Sequence, residues 1–87
     1  MTPHQRELAR HALGLDGRRS MSYRNRFVTG PGCNDHPAWM EMVRAGLAVR
    51  RDGAKMPFGG DDLFHLTPDG AHAALMPGET LDPEDFQ

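Results

Sequence analysis

The sequence of 87 residues predicts a small α+β domain of about three helices and one two-stranded β-hairpin. Three observations predict it. Isoleucine is absent and valine occurs three times, against nine alanines, eight leucines and six methionines, a balance that favours helices over a large sheet. Two Thr-Pro pairs, Thr2-Pro3 and Thr67-Pro68, have the form of a helix start, with a capping side chain followed by proline in the first turn. Between them an apolar helical stripe stops at Gly46, and two short apolar runs follow on either side of a glycine-rich connection.

The first helix is expected over about residues 3–13. Thr2 and Gln5 form a T-x-x-Q capping box, Leu8, Ala12 and Leu15 share one stripe, and Gly14 or Gly17 ends it. Residues 14–35 carry no regular pattern except Met21 to Thr29. There Tyr23 and Phe27 alternate with Arg24 and Arg26, a spacing that suits a strand and nearly as well a short helix. Gly30-Pro31-Gly32 breaks any regular element. A second helix starts near Asn34 or Asp35, has Trp39, Met40, Met42, Val43 and Leu47 on its apolar face, and places Gly46 where a left-handed conformation is wanted. Leu47–Arg51 and Leu63–Leu66 read as the hairpin strands, with Asp52 to Asp62 as their loop. A short last helix follows Thr67, with Ala71, Ala74 and Leu75 facing the core. Residues 1–78 therefore read as one domain and 79–87 as an acidic, mobile tail, in which Leu81 and Phe86 are able to dock.

Charge is unevenly spread. All ten Lys and Arg lie at or before Lys55 beside five acids, and seven acids with no Lys or Arg follow from Met56 onward. Opposite halves either neutralise each other or present two faces to partners. The single cysteine, Cys33, excludes an internal disulfide. No run approaches the roughly 18 apolar residues of a membrane span, and the N-terminus lacks the apolar region of a signal peptide. The expected location is cytoplasmic, with no membrane partner.

From Met42 to Leu75 the order is a helix ending in Arg44-Ala45-Gly46-Leu47, a strand with Arg50-Arg51, a Gly- and Asp-bearing loop, and Phe64-His65-Leu66-Thr67-Pro68-Asp69-Gly70. This resembles the stretch from recognition helix through wing to the next helix in MarR-like winged-helix regulators, where "GL-x-x-R … L-T-x-x-G" recurs. The resemblance implies a winged-helix-like domain with the hairpin as its wing. The place of the helix before the recognition helix holds Phe27 to Cys33, which is not a full helix, and residues 36–45 offer Arg44 alone for base contact, opposed by Glu41. The whole chain is also similar to small uncharacterised proteins of tailed phages and prophages, through Tyr23 to Gly32 and Gly59 to Phe64, which implies a setting and no activity.

Arg18, Arg19, Arg24 and Arg26 surround Tyr23 and Phe27, and Arg50, Arg51 and Lys55 lie on the expected wing. Basic residues interleaved with aromatics suit phosphate contact and base stacking. The competing reading is a solvated face that pairs with the acidic second half. Asn25 and its arginine neighbours also suit a structural role, bonding backbone groups that have no ladder partner. Cys33 and His36 fall short of the four ligands of a structural zinc site, Asp61-Asp62 lacks EF-hand spacing, and Gly53-Ala54-Lys55 is not a P-loop. Ser20, Ser22 and Cys33 have no signature of an activated nucleophile. The expectation is a non-enzymatic binding module without cofactor, metal or small-molecule substrate. Its seven basic residues would contact nucleic acid or an acidic protein surface. The alternative is a protein–protein or inhibitory module, as a homodimer or with another partner, using the Trp39/Met40/Met42 face or the acidic tail.

Overall fold

The computed structural model describes residues 1–55 and 60–86. Met56, Pro57, Phe58 and Gly59, in the loop between the hairpin strands, lie outside the described residues, as does Gln87 of the tail. The elements in order are α1 (Pro3–Leu13), β1 (Phe27–Thr29), α2 (His36–Arg44), β2 (Ala48–Arg51), a 3-10 turn (Gly53–Lys55), β3 (Asp62–Leu66) and α3 (Pro68–Ala74). The domain is α+β with three helices among the described residues.

Local sequence accounts for the helix ends. The Thr2 hydroxyl accepts from the Gln5 N–H at 3.1 Å, and the Gln5 side chain accepts from the Thr2 N–H at 3.0 Å, completing the expected capping box. Asp35 precedes α2 but its side chain makes no capping bond. Gly46 has φ +76°, the left-handed turn that lets the chain leave α2 for β2. Thr67 caps α3 by accepting from Gly70 N–H at 3.1 Å.

The two-stranded hairpin needs correction, because among the described residues the sheet has three antiparallel strands in the order β1-β3-β2. The expected pairing is present, with Ala48 opposite Leu66 and Arg51 opposite Leu63. Phe27, Val28 and Thr29 add a third strand opposite Phe64, Leu63 and Asp62. The local pattern of 21–29 suited a strand and a helix alike, and only the free edge of β3 decides between them. Asn25 extends the pairing by one step through its side chain. Its amide donates to Leu66 O at 3.0 Å and accepts from Leu66 N–H at 2.8 Å, in place of a backbone partner. Asn25→Ala leaves both groups without that partner and is expected to cost about 1–3 kcal/mol, read as a lower urea midpoint at unchanged m.

The core faces α1, α2 and α3. Leu8, Ala9, Ala12, Leu13, Trp39, Met42, Phe64, Leu66, Ala71 and Ala74 are buried together. Trp39 lies between Phe27, at 5.2 Å between ring centroids, and Phe64, at 5.5 Å. Its indole N–H has no hydrogen-bond partner among the described residues. The apolar face expected for a partner is therefore largely interior. Trp39 and Met42 are fully buried and Met40 packs against the same cluster, because this small domain has few other large side chains to fill its centre.

Residues 79–86, expected as a mobile tail, are bonded at several points. Ser22 N–H donates to Thr80 O at 3.0 Å, Thr80 N–H to Ser20 O at 2.8 Å, and Asp82 N–H to the buried Ser22 hydroxyl at 2.8 Å. Leu81 and Phe86 pack on the core. Glu79 forms a two-armed ion pair with Arg10, including Nη2–Oε2 at 2.7 Å, and accepts from Met76 N–H at 2.8 Å. That pairing draws the Glu79 carboxyl down to about 2.

Candidate functional site

The segment Tyr23–Arg26 is placed by the end of α1. The last carbonyls of a helix have no partner within it. Here Leu13 O accepts from Tyr23 N–H at 3.1 Å and Ala12 O from Arg26 N–H at 3.2 Å. His11 O takes the Arg24 guanidinium at 2.7 Å and 3.2 Å. The Tyr23 ring rests on Gly14, where a Cβ would lie 2.1 Å from the ring. The segment is irregular in backbone but fixed by these bonds.

On this base a basic, aromatic cluster is exposed. The Arg19 guanidinium lies 4.4 Å from the Tyr23 ring centroid and that of Arg24 5.1 Å, while Tyr23 keeps 47% of its surface open. Beside it His11, Arg24, Arg26, Phe27 and Val28 line a cleft of about 260 Å³. His11 is hydrogen-bonded to Asp16, which lowers the Asp16 pKa.

The outer face of the sheet continues from the cleft. Val28, Leu63 and Arg51 form one cross-strand row, with His65 and Val49 in the next. Val28 is 55% exposed and Val49 42%. Partial burial, and then the charge of Arg51, push the His65 pKa down and favour its neutral form.

The expected basic residues thus separate into groups. Arg19, Arg24 and Arg26 gather around Tyr23 and the cleft, and Arg51 lies across the sheet from Val28. Arg18 and Lys55 are exposed. Arg50 points to the other face and is engaged. Its Nε and Nη2 donate to Asp62 at 2.8 Å and 3.3 Å, and Asp52 lies 3.7 Å away. Asp62 is buried and also accepts from Gly53 N–H at 2.9 Å and bonds His36 Nε2 at 2.7 Å. Arg50, the Gly53 N–H and His36 together hold its carboxyl well below the usual carboxylate range. Asp62, expected at the end of the hairpin loop, instead opens β3 and anchors this clamp, which the turn-like pattern of Asp61-Asp62 alone did not reveal. A signal was present, since Asp62 has the same strand parity as the inward residues Phe64 and Leu66, and an inward carboxylate needs a cation or donors.

On α2 the guanidinium of Arg44 is bonded to Glu41 at 3.0 Å. Among the described residues no three His, Cys, Asp or Glu side chains gather to hold a metal ion, and no helix is long and apolar enough to cross a membrane. Comparison with protein-family models, curated proteins and solved structures finds no match.

Proposed function

We propose that this chain is a non-enzymatic binding module of winged-helix-like architecture that contacts nucleic acid through arginines, without strong sequence preference. The architectural part is supported by the run from α2 through Gly46 into the β2–β3 hairpin and on to the Thr67-capped α3, the order that the MarR-like resemblance implies. The observation that carries the functional part is a group of cations that have no carboxylate partner among the described residues. Arg19, Arg24 and Arg26 cluster around an exposed tyrosine, with Arg18, Arg51 and Lys55 as further exposed charges. Such a surface attracts phosphates and offers a ring or guanidinium plane to bases. Arg50 contributes through the wing it holds together rather than by direct contact.

A filter-binding titration at two salt concentrations tests the reading. Affinity is expected to fall steeply at the higher salt as released counterions lose their advantage. Absence of binding at both concentrations refutes it. The outer sheet face favours a second reading, a protein-interaction or homodimer surface, since Val28 and Val49 are exposed on its two outer strands with Leu63 and His65 of β3 between them. A strictly monomeric light-scattering mass at every concentration removes the homodimer form of it.

A further inference from the structure

We infer that the cleft between the last turn of α1 and β1 seats an unstacked nucleotide, so that the nucleic acid bound is single-stranded. This rests on the nucleic-acid reading above and narrows it to one class of ligand.

Three features point that way. The first is what the cleft contains. Arg26 and Arg24 supply cations for a phosphate, His11 supplies a ring edge, and half-buried Phe27 with exposed Val28 supplies apolar surface for a base. A volume of about 260 Å³ is below the roughly 300–1,000 Å³ of pockets that enclose a whole small molecule, which suits one unit of a chain passing over it.

The second is continuity. Arg24 both lines the cleft and lies over Tyr23, whose other cationic neighbour is Arg19. The Tyr23 ring and the cleft are thus adjacent stations on one basic track. Successive bases stacking on aromatics along a cationic path is how single strands are held without sequence readout. A base inside a duplex is stacked on its neighbours and can reach neither station.

The third is how few free donors the described residues of α2 and β2 offer to a duplex. Duplex reading needs an element with free donors for the major groove. The side chains of α2 are committed elsewhere, with Trp39 and Met42 in the core and Arg44 on Glu41. On β2, Arg50 is held by Asp62, which leaves Arg51 as that strand's exposed cation.

The test is fluorescence anisotropy of the full chain with labelled oligothymidylate and with a duplex of the same length, at one salt concentration. Wild type, Arg26→Glu and Tyr23→Leu are compared. Arg26 is exposed and Tyr23→Leu keeps apolar contact with Gly14, so circular dichroism is expected to show all three folded. Oligothymidylate is expected to bind about fivefold or more tightly than duplex, and each variant to lose about fivefold or more for the single strand. Ultraviolet crosslinking of oligothymidylate to the wild type gives a readout that needs no variant, with adducts expected within residues 19–28. Equal affinity for both nucleic acids, or adducts elsewhere, overturns this inference and leaves the broader reading standing. Binding to neither overturns both.

Discussion

Gly70→Ala is expected to destabilise the domain by about 2–3 kcal/mol, although alanine is the better helix former by about 1 kcal/mol. Gly70 is the third residue of α3, and a Cβ on it would lie 1.9 Å from Leu47 O and 2.8 Å from Leu47 C. Neither neighbour is the end of a flexible side chain, so the backbone has to move. The Leu47 carbonyl accepts from Thr67 N–H at 3.0 Å, and the Thr67 hydroxyl donates to Gly46 O at 2.8 Å. Separating α3 from Leu47 loosens both bonds and lifts buried Ala71 and Ala74 from the core. Overcrowding therefore outweighs helix propensity. Thermal unfolding is expected to fall by roughly 8–20 °C, while Asp69→Ala, on the exposed first turn, stays within about 0.5 kcal/mol of wild type. A neutral or stabilised Gly70→Ala refutes this account of the Gly46-Leu47 and Thr67-x-x-Gly70 pairing.

Asp62→Ala is expected to cost about 2–4 kcal/mol, because it leaves the buried Gly53 N–H and the His36 ring without their acceptor and leaves Arg50 with only the more distant Asp52 as counter-charge. Water still reaches Arg50, which keeps the loss below that of a wholly buried pair. The same clamp makes stability depend on acid. A carboxyl with a lower pKa in the folded than in the unfolded chain binds fewer protons when folded. Its stabilisation is complete above the unfolded value of about 4 and disappears as pH falls through the folded one. Glu79, drawn down to about 2 by Arg10, and Asp62, drawn lower than the usual range by Arg50, both have this sign. Melting temperature followed from neutral pH downward is expected to hold until about pH 5 and then decline steadily toward about pH 2. Glu79→Gln starts lower and declines less over that window. A wild-type melting temperature unchanged between those limits would contradict both pairings.

Nucleotide preference and the two stability effects bear on different parts of the chain. Arg26 and Tyr23 lie at the open end of α1, whereas Gly70 and Asp62 hold the hairpin and α3 in place. Variants in the second group are expected to weaken binding only as far as they unfold the protein.

Much of this molecule was legible along the chain. Helix ends depend on side chains within four residues, so Thr2-Pro3-x-Gln5, Gly46 and Thr67-Pro68 predicted α1, the exit from α2 and the start of α3. The β2–β3 hairpin follows from two apolar runs close in sequence. The rest depended on contacts between distant residues. Phe27–Thr29 is a strand because β3 has a free edge, and Asn25 finds the backbone of Leu66 there. Trp39 is core because Phe27 and Phe64 close over it from two different strands. Arg50 and Arg51 are adjacent and chemically identical, yet strand alternation turns one inward to Asp62 and leaves the other on the open face. Local preference acts over a few residues and is written in the sequence. Which arginines remain free is a matter of which carboxylates the folded chain brings within hydrogen-bonding distance, and only the tertiary structure decides that.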